Sequence, residues 1–271
     1  MAGIVLNNIL LQLFYFVAVV FLFGYLISLI NKLFYRLANN DKRICYVTGL
    51  IGTPIHELCH ALMCVLFSHK ISEIKLFHID RESGTLGYVS HSYDKKNLYQ
   101  VVGNYFVGTA PIVGGTLVLF LLVKFMLPET FVQISGDISA FAASQSGGIS
   151  IDAFKGAFVT AFEIVKSIFD GAGAGFSWWC FMIVALCIAL HMNLSPLDIK
   201  GSLKAIPFLV IFVSLLNFVL AYVFDTAYEY YVSFMNGAGS YLTSILILSV
   251  VLSLVCLFVA LIIRIIVNIL R

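Results

Sequence analysis

The chain has 271 residues, 61% of them hydrophobic and only 11% charged, with a formal net charge of +2. A soluble domain has about a quarter of its residues charged, so this composition excludes one and places most of the chain in lipid. The 16 basic and 14 acidic residues lie between long uncharged stretches, which leaves no basic surface for nucleic acid, and none is expected as a partner.

In chain order, the first charge is Lys32, so Ala2 to Ile30 is one apolar run. It lacks a basic n-region and an A-x-A cleavage site, and is expected to be a retained span. Ile44 to Ser68 is a second apolar stretch whose only formal charge is Glu57. Leu98 to Val123, Phe176 to Leu194, Ala205 to Phe224 and Tyr241 to Ile263 complete a count of six helices able to cross about 30 Å of hydrocarbon. Between the second and third spans, Ile71, Ile74, Leu76 and Ile79, then Leu86 and Tyr88, flank Arg81-Glu82-Ser83-Gly84, which predicts a β-hairpin within 69–100. Within the loop 128–175, Ile151, Phe154, Phe158, Phe162, Val165 and Phe169 recur at helical spacing opposite Asp152, Lys155, Glu163, Lys166 and Asp170. That pattern predicts an amphipathic helix on the membrane surface. Gly171, Gly173 and Gly175 form an expected hinge before Trp178 and Trp179, read as interfacial anchors. Tyr228, Tyr230, Tyr231 and Tyr241 are read as a second interfacial belt. The expected fold is an all-α polytopic membrane protein with about six transmembrane helices, a short membrane-associated β-hairpin and one amphipathic surface helix. It forms a single membrane domain over 1–271.

The six cysteines, Cys45, Cys59, Cys64, Cys180, Cys187 and Cys256, contain no C-x-x-C pair and read as small buried hydrophobes. His69, His78 and His91 fall in the polar hairpin segment and read as solvated or structural.

The chemistry concentrates in His56-Glu57-Leu58-Cys59-His60. On a helix, i and i+4 share a face, so both imidazoles can bind one Zn²⁺, and Glu57 can act as general base toward a water acidified by the metal. Chance would produce H-E-x-x-H about 0.003 times in a chain with this many His and Glu. Ionisable groups in mid-membrane cost about 2.5–3.5 kcal/mol each on insertion scales, so the cluster demands a function. Pro54 would kink the span or open a new helix capped by Thr53; either way both histidines keep their common face. A catalytic zinc needs a third protein ligand. Asp198 is a candidate, and with Ser195 and Pro196 it also reads as the capping box of the fifth span; the two readings are compatible. His191 is a rival, and it also reads as an interhelical hydrogen-bonding group.

His56-Glu57-Leu58-Cys59-His60 together with Asn193-Leu-Ser-Pro-Leu-Asp198 resembles the site-2 proteases, a family of intramembrane zinc metalloproteases. This chain has Leu197-Asp198-Ile199 where the family has Leu-Asp-Gly, and the likeness extends over about 44–201, marking a divergent six-span type. The resemblance implies His56, His60 and Asp198 as zinc ligands, Glu57 as the catalytic base and Asn193 as a substrate-binding residue. It also implies a membrane-associated hairpin, which by adding a strand could hold a substrate extended. The expected partners are a membrane protein or peptide substrate and the lipid bilayer; no oligomeric state is read from the sequence. With the N-terminus inside, eight basic residues lie on the cytoplasmic side against six outside, a bias too small for the positive-inside rule to set the orientation; the expected location is a bacterial cell membrane with the site opening to the cytoplasm. Two alternatives remain. One is a metal or proton transporter using the His/Glu cluster as its pathway. The other is a zincin resembling the prenyl-protein proteases, with Glu163 or Glu229 as third ligand.

Overall fold

The computed structural model describes residues 2–80, 84–144 and 151–269. These form an all-α polytopic fold with one small sheet. The first apolar run is continuous as α1 (Ala2–Leu13), a π-helical turn (Phe14–Val19) and α2 (Val20–Leu37). Next comes α3 (Lys42–Leu66), capped by the Asp41 carboxylate, which accepts from the Arg43 amide. The Arg43 guanidinium holds that carboxyl below the usual range. The strands β1 (Lys70–Lys75) and β2 (Tyr88–Ser92) follow, then α4 (Leu98–Met126), α5 (Pro128–Ser144) and α6 (Ile151–Asp170). The chain ends with α7 (Phe176–Leu190), α8 (Pro196–Val223) and α9 (Asp225–Ile269).

Among the described residues, five helical stretches are long and apolar enough to cross a membrane: 2–37, α3, α4, α8 and 226–266 within α9. The expected sixth, α7, has 15 residues, about 22 Å, short of a 30 Å core. Both its ends are cut. Gly175 adopts φ +63°, open to glycine at no steric cost. At the other end the chain unwinds from His191 to Ser195, because the residue before a proline is driven extended and Ser195 has ψ 159°.

The buried core joins Ile27, Ile112, Leu119, Phe181, Ala185, Ile188, Leu246 and Leu252, from α2, α4, α7 and α9. Polar pairs lie inside: Asn8 donates to the Tyr228 hydroxyl, Tyr231 and Asn217 donate to Gln12 Oε1, and Thr116 bonds Ser249. Large apolar side chains such as Val47, Leu50, Val65, Phe125 and Ile183 stand outside. Polar groups paired within and hydrocarbon outward is the arrangement a bilayer demands.

Other expectations are also revised here. The segment 128–175 is not a loop with one helix: α5 precedes α6, and both pack on α9 through Ile134, Ile138, Ile164 and Ile168. In α6 the stripe of Phe158, Phe162 and Phe169 is exposed, in keeping with an apolar face turned to lipid; what the sequence did not show is that the neighbouring face with Thr160, Ile164 and Ile168 meets the protein. The two tryptophans also differ. Trp179 is exposed, whereas Trp178 is buried and its Nε1–H donates to the Ile168 carbonyl. Likewise Tyr228 and Tyr231 are tied into the bundle, which leaves Tyr230 and Tyr241 as the exposed members of the proposed belt.

The hairpin is antiparallel, pairing Lys70 with Ser92, Ile71 with His91, Glu73 with Ser90, Ile74 with Val89 and Lys75 with Tyr88, with a bulge between Ile71 and Glu73. It extends as a ribbon through His78 N–H to the Leu86 carbonyl and Asp80 N–H to the Thr85 carbonyl. Of the anticipated turn, 81–83 lie outside the described residues; Gly84 has φ +75°.

Candidate metal centre

Helix α3 runs unbroken past Pro54, so a single helical face carries His56 and His60. Thr53 is buried inside that helix, not at an N-cap, and its hydroxyl has no partner. Each ring is oriented by a backbone carbonyl. His56 Nδ1 lies 2.7 Å from the His191 oxygen, and His60 Nδ1 lies 2.8 Å from the Val107 oxygen. A carbonyl can only accept, so both protons sit on Nδ1 and both Nε2 atoms carry lone pairs. Those two Nε2 atoms face each other at 3.2 Å. Facing lone pairs repel unless a cation or proton lies between them. Two nitrogens on one tetrahedral metal at bonds of about 2.0–2.1 Å stand about 3.3 Å apart. Ring orientation by an outer hydrogen bond is the usual support of a metal-binding imidazole.

Asp198 completes the group: its ligand atom and those of the two histidines lie within 4.8 Å of one another. Its two oxygens divide the work. Oδ2 accepts from the Ser195 backbone N–H at 2.8 Å, half of a capping box that starts α8, while Oδ1 faces His60 Nε2 at 3.5 Å. The cap therefore aims the carboxylate. Two neutral imidazoles and one carboxylate fit a divalent metal ion.

The three converge on a cavity of about 460 Å³ that Glu57 also lines. Helix α4 contributes Asn104, Val107 and Gly108, helix α8 with its N-cap contributes Ser195, Leu197 and Gly201, and the hairpin contributes Gly87, Tyr88, Val89, Ser90 and His91. Close approach at this point needs glycine. A Cβ on Gly108 would strike Ser202 Oγ and come within 2.5 Å of the Asp198 carbonyl oxygen. A Cβ on Gly87 would lie 2.8 Å from both the Lys75 oxygen and Thr53 Cγ2, and 3.0 Å from Glu57 Cγ. The residue entering β2 thus lies directly against the glutamate side chain. Burial and the neighbouring His69 hold His91 below the usual imidazole range.

Compared with known proteins, the chain matches no family model, no curated protein and no solved structure.

Of the residues singled out in the sequence, His56, Glu57, His60 and Asp198 come together. Asn193 does not join them: its Oδ1 accepts from Asn31 and its own amide donates to Leu190 O, away from the cavity lining. His191 ends α7 and is no part of the metal group; its ring packs against Gly49 and Gly52 of α3, and its backbone oxygen orients His56. Glu163 lies on α6 beside Lys166, and Glu229 is exposed on α9. Sequence reading missed Asn104, the β2 lining and the two orienting carbonyls. A backbone carbonyl leaves no mark in residue type, whereas Gly87 and Gly108 were visible and unassigned.

Proposed function

We propose that the chain is an intramembrane zinc endopeptidase, a site-2-protease-like enzyme that hydrolyses peptide bonds of membrane-embedded or membrane-associated substrates. The observation that carries this reading is the pair of imidazole Nε2 lone pairs facing each other at 3.2 Å, each ring fixed from behind, beside a carboxylate and next to Glu57. His56, His60 and Asp198 would hold the ion, a donor set with room for a fourth, exchangeable position. Zinc bound there supplies Lewis acidity, lowering the pKa of water and polarising a peptide carbonyl.

The chain's own residues do the rest. Glu57, adjacent to the first ligand and lining the same cavity, takes a proton from the attacking water. It returns that proton to the leaving amine as the C–N bond breaks. Among the described residues strand β2 pairs with β1 alone, and its residues line the cavity. A substrate segment pairing with it would be held extended, its backbone exposed to attack rather than closed in a helix. In our reading this mouth opens toward the cytoplasm.

Glu57→Gln is the decisive variant. Wild type, expressed in its native membranes, should generate new peptide termini inside or beside membrane segments, seen by terminus-profiling mass spectrometry. Glu57→Gln should lower their formation by about 10²–10⁴-fold with zinc content unchanged. Identical termini from both proteins, or none from zinc-loaded wild type, would overturn the proposal. Glu57-dependent ion flux without cleavage would replace it by the transporter reading.

A further inference from the structure

A second group of ligand-type side chains lies at the junction of α3 and the hairpin. Cys64, His69 and His91 place their ligand atoms within 4.8 Å of one another. Cys64 and His69 are buried, Cys64 completely. His69 Nε2 lies 2.8 Å from the Gln100 carbonyl oxygen, which fixes the proton on Nε2 and leaves the Nδ1 lone pair directed at His91 Nδ1, 3.1 Å away. The His69 and His91 rings stand nearly coplanar, with centroids 5.1 Å apart, and Tyr93 lies beside His69 with its ring near parallel at 5.3 Å. His69 is therefore oriented by an outer hydrogen bond in the way His56 and His60 are, on a separate set of side chains.

We infer that Cys64, His69 and His91 form a second metal site, specific for a borderline-soft divalent ion such as Zn²⁺, which clamps the hairpin to the end of α3. A thiolate with two imidazoles selects zinc over magnesium or calcium, which require oxygen ligands. Each ligand comes from a different piece of chain: the last turn of α3, the segment entering β1, and β2. A shared ion would fix the register of the hairpin above the cavity that His91 also lines. The competing arrangement is metal-free, with His91 Nδ1–H donating to His69 Nδ1 and Cys64 an inert thiol.

Cobalt distinguishes the two. The His56/His60/Asp198 group contains no sulfur, so a thiolate-to-Co²⁺ charge-transfer band in the near ultraviolet reports the second site alone, whatever the first site does. Purified full-length protein loaded with Co²⁺ should show that band and bind about two ions per chain. Cys64→Ser should abolish the band and leave about one ion. His91→Asn, a milder change on a partly exposed strand, should weaken or shift the band, and His56→Ala should leave it intact. A wild-type protein without the band, or a band that survives Cys64→Ser, would overturn the site.

Discussion

Within the metal group, Asp198 serves two structures through two oxygens, one closing the first turn of α8 and the other facing His60. The roles separate by substitution. Asn at this position keeps an oxygen for the Ser195 amide but loses the negative charge, so Asp198→Asn should retain the helix and weaken zinc binding by more than about tenfold, measured by elemental analysis against competing chelator. Asp198→Ala should lose the metal equally and cost about 1 kcal/mol more in stability, seen as a lower melting temperature. Equal zinc retention in wild type and Asp198→Asn would remove Asp198 from the ligand set. The same residue explains why a capping motif and a ligand motif overlap in the sequence: the cap is the device that points the carboxylate.

Among the elements, α4 stands between the helices that carry His60 and Asp198, touching α3 through His60 and the Val107 carbonyl and α8 through Gly108. Gly108→Ala inserts a methyl where Ser202 Oγ and the Asp198 backbone already stand, which should push α8 outward and cost about 1–3 kcal/mol. Zinc content should fall with it, because α8 carries Asp198. Gly136→Ala, in α5 with open space around it, is the control: it should leave zinc unchanged and raise the melting temperature slightly. A second element-level test concerns the α5–α6 pair. Partial burial and then the nearby Glu163 raise the Asp137 pKa. A raised carboxyl pKa means the charged form is disfavoured in the folded state, so the cost is present above the folded pKa and vanishes as the pH falls below the unfolded one. Asp137→Asn should therefore raise the melting temperature by about 1–2 °C near neutrality, with the gain disappearing in acid. A gain independent of pH would assign it to another cause.

The whole molecule is organised for lipid: hydrogen-bonded polar side chains such as Gln12, Asn31 and Asn217 are buried, while the outer faces of the spans present leucine, isoleucine and phenylalanine. Trp178 and Trp179 sample both environments from adjacent positions, 7% and 62% exposed. In proteoliposomes containing brominated lipid, Trp178→Phe, which keeps Trp179, should be quenched several-fold more than Trp179→Phe, which keeps Trp178. Equal quenching would mean that the two indoles share one environment. The short α7 fits the same organisation, since the unwound stretch 191–195 lies where α7 meets α3 and its backbone supplies a ligand-orienting carbonyl. Irregular backbone is tolerated at membrane depth where protein or a cavity surrounds it.

By itself, the amino-acid sequence determined the membrane class, the long apolar helices, the hairpin and the His56-Glu57-x-x-His60 cluster, because hydropathy, helical periodicity and i, i+4 ligand spacing are local properties written in residue type; Asp198 it offered only beside His191, and the resemblance chose between them. Only the tertiary structure decided which carbonyls orient the rings, that Asn193 pairs with Asn31, that His191 contributes its backbone instead of its ring, and that the face of α6 beside its apolar stripe meets the bundle. It also brought Cys64, His69 and His91 together although they are widely and irregularly spaced in sequence. These are outcomes of which helix packs against which. A carbonyl has no side-chain signature, and an apolar face reads the same whether lipid or protein covers it.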